Sequence, residues 1–79
     1  MPETITADEI AQHYSAAGDS VTVINELVAL SERDDEQVDT VRRNVEHLEI
    51  MVAKDFWTTE DLAPFNAAIT AGTAVLPAE

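Results

Sequence analysis

From Gln37 to Asp55 the chain reads QVDTVRRNVEHLEIMVAKD, its longest unbroken helical pattern. Val38, Val41, Val45, Leu48 and Val52 recur at spacings of 3, 4, 3 and 4. At about 100° per residue these side chains stay within roughly 80° of arc, a single apolar stripe. Asp39, Arg42, Arg43, Glu46 and Glu49 project from the other side. There, Asp39 with Arg43 and Arg42 with Glu46 stand at the i,i+4 spacing of ion pairs worth a few tenths of a kcal/mol. A helix of this kind needs other helices to cover its stripe, and it is expected to be the spine of the fold.

The 79 residues suffice for one small core, in the size range where only about 60–65% of the unfolded chain's surface is buried on folding. With no cysteine, neither a disulfide nor a thiolate metal site adds to stability. Tight helix packing or oligomerisation must supply it. The longest apolar run falls far short of the ~20 residues that span a bilayer, and the start, MPETITADE, is acidic rather than a signal-type sequence. A soluble, cytoplasmic protein that does not contact membranes is expected.

Sixteen acidic side chains against four basic ones give a formal charge of −12. No basic patch exists to gather phosphates, so direct nucleic-acid binding is not expected. The acids are spread along the chain: residues 1–19 net −4, 20–36 net −4, 37–55 net −1 and 56–79 net −3. With 46% apolar residues, this is the composition of a folded acidic domain rather than of a disordered tail.

Order is expected to begin at Thr6, which with Glu9 fits a capping box, while Ile5 and Ile10 occupy the positions of a hydrophobic staple. The stripe Ala7, Ile10, Ala11, Tyr14 and Ala17 then predicts a short first helix ending at Gly18. Asp19 or Ser20 would cap a second helix over Val21–Ser31. The run Val21–Ile24 also has strand propensity, but no partner strand is evident. Asp34 followed by Gln37 would cap the long third helix. Thr58 with Asp61, or Thr59 just after it, would open a short turn at Thr59–Leu62, broken by Pro64, with a last helix from about Pro64 to Ala71 closed by Gly72. The expected fold is all-α, a small bundle of three to four helices with a long central third helix. It forms one domain over residues 1–79, with 1–5 and 73–79 loosely ordered.

No arrangement of residues announces chemistry. His13 and His47 lack metal partners at helical spacing beyond Glu9, and His47-Leu48-Glu49-Ile50-Met51 lacks the second histidine of a zinc-protease helix. Asp34-Asp35-Glu36 lacks the alternating oxygen ligands and central glycine of a calcium loop. Ser15, Ser20 and Ser31 have neither a glycine elbow nor a placed histidine. The chain is therefore read as a non-enzyme without cofactor or metal. The clearest contact candidates are Ile50, Ala53 and Trp57, a second apolar line on the long helix, away from the main stripe. Either the last helix folds over this line through Phe65 and Ile69, or the line stays exposed and meets a partner protein or a second copy. Phe56, Trp57 and Phe65 fill the nearby corner, as core or as a binding hot spot.

The segment NVEHLEIMVAKDFWTTEDLAPFNAAI, Asn44 to Ile69, resembles small uncharacterised proteins encoded in phage and prophage genomes. It covers about a third of the chain and carries no chemical motif. The resemblance implies a phage origin and a helical fold, and it transfers no functional residue. The expected function is an acidic helical protein–protein interaction module, a phage accessory or structural component, meeting a basic partner or itself. The alternative is a decoy that mimics DNA and occupies a nucleic-acid-binding protein.

Overall fold

A computed structural model describes residues 6–77, which form three helices. Each begins where a short polar side chain, held in extended backbone, accepts a bond from the amide three residues on. Thr6 accepts from Glu9 N at 3.1 Å and opens α1, Ala7–Val28. Asp34 accepts from Gln37 N at 2.8 Å and opens α2, Asp35–Val52. Thr58 accepts from Asp61 N at 3.1 Å and opens α3, Thr59–Val75.

At α2 and α3 the box is reciprocal, with Gln37 Oε1 accepting from Asp34 N and Asp61 Oδ2 from Thr58 N. At α1 it is only half made, because Glu9 Oε1 accepts from the Thr6 hydroxyl rather than from its amide. Ile5, the expected staple residue, lies outside the described residues, as does the rest of 1–5.

The first two expected helices are one. Gly18 keeps a right-handed backbone, since no glycine among the described residues has a positive φ. The stripes on its two sides are in phase: Ile10, Ala17, Val21, Ile24 and Val28 all face the core. Burying both stripes on one rod outweighs the roughly 1 kcal/mol that a mid-helix glycine costs relative to alanine. Asp19 stays exposed and caps nothing, while Ser20 is buried. The strand alternative for Val21–Ile24 falls with the same observation.

Pro64 likewise does not interrupt α3. It is the sixth residue of that helix, so its missing N–H forfeits one bond, the one to the Glu60 carbonyl, and its ring faces outward, exposed. Leu62, Phe65, Ile69, Gly72 and Leu76 remain in phase across it. Gly72 does not end this helix either. Thr73–Val75 are helical, and Val75 and Leu76 pack against the core, so 73–76 is not part of a loose tail, while 78–79 of the expected 73–79 lie outside the described residues.

The expected third helix is therefore the second of three. At 18 residues it is shorter than α1, which has 22, and it ends at Val52 rather than Asp55. Its stripe holds in the middle, where Val41, Val45 and Leu48 are buried with Met51 beside them. Val38 and Val52 at its ends are half-buried. The Asp39–Arg43 pair forms at 2.9 Å. Arg42 turns to Asp39 as well, at 3.9 Å, in place of the expected pairing with Glu46.

The contacts fix the directions of the helices. Gly72, late in α3, lies against Ile24, late in α1, and against Val41 and Val45 in the first two-thirds of α2. At the other end Tyr14 of α1 meets Phe65 of α3 and Trp57, which follows α2. Hence α1 and α3 run the same way and α2 runs against both. The α1–α2 connector is tied down by Arg33, whose Nη1 donates to the carbonyls of Leu30 at 2.8 Å, Leu27 at 2.9 Å and Val28 at 3.4 Å. That single cation serves the C-terminus of a helix whose own last turn holds no basic residue.

Candidate functional site

The structure separates the three contact candidates. Ile50 is 64% exposed, the most open large apolar side chain among the described residues. Ala53 is also exposed, as the C-cap of α2. Trp57 is 9% exposed and belongs to the core.

The reason lies in where α2 stops. A period of 3.6 projects Trp57 beside Ala53 only if the helix continues, but α2 ends at its C-cap Ala53, and the chain beyond swings the indole inward. There Trp57 Nε1 donates to Met51 O at 2.6 Å, satisfying its polar edge within the core. Its ring meets Phe56 at 4.5 Å, Phe65 edge-on at 5.1 Å and Tyr14 at 6.3 Å. The aromatic corner is core, and Trp57 is not on the surface that carries Ile50. Each alternative therefore holds for part of the line: Phe65 of the last helix covers Trp57, whereas α3 covers neither Ile50 nor Ala53.

What remains outside is a helix face. Asp39, Arg43, Glu46, Ile50 and Ala53 recur at spacings of 4, 3, 4 and 3 along α2 and its cap. This line is the counterpart of the buried one, and it places an isoleucine between Glu46 one turn before and the exposed Lys54 one turn after. The Asp39–Arg43 pair holds two of its side chains in place, although the Arg43 side chain is 79% exposed and the pair is worth at most about 1 kcal/mol. A shallow, open depression borders the face, where Arg42, Val45, Glu46 and Glu49 of α2 meet Thr73, Leu76 and Pro77 at the end of α3.

Both histidines are engaged in packing. His13 is half-buried and stacked on Phe56, with ring centroids 5.7 Å apart. His47 shares a hydrogen bond of 2.8 Å with Ser20, through Nδ1 and the serine Oγ, linking α2 to α1. This pair is the nearest approach to a nucleophile and base, but its surroundings do not suit catalysis. Ser20 is 5% exposed in the middle of a helix, without the sharp turn that presents a nucleophilic serine to substrate. Among the described residues no three His, Cys, Asp or Glu side chains gather as a metal would require.

The sequence offered one signal for this pair. Ser20 falls in line with Ala17 and Ile24, and a polar residue on a buried stripe needs a partner. Nothing in the spacing identified His47, 27 residues on, as that partner.

The chain matches no family model, no curated protein and no solved structure at a significant level. No helix of the described residues is long and apolar enough to cross a membrane.

Proposed function

We propose that this chain is a non-enzymatic protein–protein interaction module that docks through the outer face of α2, with Ile50 at the centre and Ala53 beside it. The observation that carries the reading is the 64% exposure of Ile50 on a regular helix face that no other part of the described residues covers. An apolar anchor presented at helical spacing is the means by which helix faces engage grooves or other helices. The burial of Ser20 inside α1, 5% exposed, keeps the Ser20–His47 pair from substrate and supports a non-enzymatic role. The resemblance of Asn44–Ile69 to phage-encoded proteins is the ground for reading the module as a phage accessory or structural component. The acidic remainder of the surface repels polyanions and sets the rate at which charged partners arrive.

The DNA-mimic alternative is disfavoured by charge density. A duplex as long as the 45 Å molecule carries about 26 negative charges, roughly twice the net −12 of this chain. Arg42 and Arg43 also interrupt the acids of α2.

A photoreactive side chain at position 53 tests the docking face in cells that naturally make the protein. Crosslinks to protein are expected from position 53, lost when Ile50→Glu is added, and absent from position 22 on the exposed side of α1. Equal crosslinking from positions 53 and 22, or crosslinks indifferent to Ile50→Glu, would refute the reading.

A further inference from the structure

The charges around Ile50 say more about what covers it. The segment Gln37–Asp55 nets −1 of the total −12, because Arg42, Arg43 and Lys54 are three of the four cations. A strongly basic partner would be drawn elsewhere, to the end of the molecule where Glu32, Asp34, Asp35 and Glu36 are all exposed. For a second acidic copy the order reverses, since the nearly balanced face adds little repulsion of its own. Residues 62–77, in α3 and just past its end, are free of charge as well, but present no large exposed apolar side chain as an anchor.

The order of signs on this face is also self-complementary. Glu46 lies one turn before Ile50 and Lys54 one turn after, and all three are exposed. A two-fold axis through Ile50, perpendicular to α2, sets Ile50 on Ile50 of the second copy. The same operation brings Glu46 of each copy opposite Lys54 of the other, so two ion pairs flank an apolar centre. Taking the outer face of α2 as the docking surface, as proposed above, we infer that its occupant is a second copy of this chain, crossing antiparallel at Ile50.

A crossing of this kind buries little area, so the dimer is concentration-dependent rather than obligate. Its response to salt has a definite sign. Salt loosens the two exposed Glu46–Lys54 pairs, each worth about 0–1 kcal/mol, but it also screens the long-range repulsion between two copies of net charge −12, and this larger effect decides: added salt tightens the dimer. A complex with a basic partner would loosen instead.

Sedimentation equilibrium up to about 1 mM protein, where even a weak contact is populated, tests the inference, with circular dichroism to confirm folding. The wild type is expected to dimerise more tightly as salt rises, and Ile50→Glu to be a folded monomer. Glu46→Lys opposes lysine to lysine and should weaken the dimer several-fold, even though it reduces the net negative charge. Adding Lys54→Glu to Glu46→Lys should restore the wild-type constant. A wild type that stays monomeric throughout overturns the inference, and crosslinks from position 53 to a different protein would then still support the docking face. A dimer indifferent to both Ile50→Glu and Glu46→Lys overturns it as well, by placing the contact on another face.

Discussion

The two glycines occupy helices, yet they stand in opposite surroundings, and the same substitution should act on them with opposite sign. A Cβ at Gly18 would meet nothing within 4 Å. Gly18→Ala gains helix propensity and loses unfolded-state entropy, so it should stabilise by about 0.5–1 kcal/mol. A Cβ at Gly72 would lie 2.6 Å from Val45 Cγ2 and 3.2 Å from Ile24 Cγ2. Both neighbours are β-branched and stiff at χ1, so they cannot turn aside. Gly72→Ala should destabilise by about 1–3 kcal/mol, as overpacked cores do. Urea unfolding midpoints of the two variants check this, and a Gly72→Ala protein as stable as wild type would mean that α3 does not sit so close to α2.

Pro64 makes the corresponding argument at the level of the element. It faces water, contributes little packing and costs α3 one hydrogen bond, so Pro64→Ala should stabilise by on the order of 1 kcal/mol or more. The expected signature is a higher unfolding midpoint with unchanged helical ellipticity at 25 °C. A rise in ellipticity would instead show that α3 begins after Pro64 in solution.

The helix starts were legible in the sequence because Thr6, Asp34 and Thr58 act within three residues, where local chemistry is sufficient. The breakers misled for a physical reason. Gly18 and Pro64 each cost a fixed local amount, whereas the in-phase stripes on either side of them gain by burial against helices that are remote in sequence. The candidate contact line failed in part for a related reason. Ile50 and Ala53 were found by their period, but the period was carried past the C-cap Ala53, and Trp57 lies beyond it. The Ser20–His47 bond joins two helices, and no pattern within one helix contains it.

For the molecule as a whole, the net charge of −12 works against compactness, because the folded chain holds its like charges closer together than the unfolded one. Among the described residues the favourable pairing in opposition is slight: Asp39 with Arg43 and Arg42 is exposed or partly so, and such pairs are worth about 0–1 kcal/mol. Raising ionic strength from about 0.01 M to about 0.1 M shortens the screening length from about 30 to about 10 Å. It should therefore raise the melting temperature, measured by circular dichroism at protein concentrations low enough to keep the chain monomeric. A fall would mean that local pairs outweigh the general repulsion.

The antiparallel course of α2 between α1 and α3 puts Thr6 at one end of the 45 Å long axis and Pro77 at the other. A pulling force applied at these two points runs along the helices, not across them. It loads the seats of Ile24, Val41, Val45 and Gly72 all together, in shear, instead of peeling them apart one by one. Joined end to end, copies of this domain would form a line of links that share tension equally.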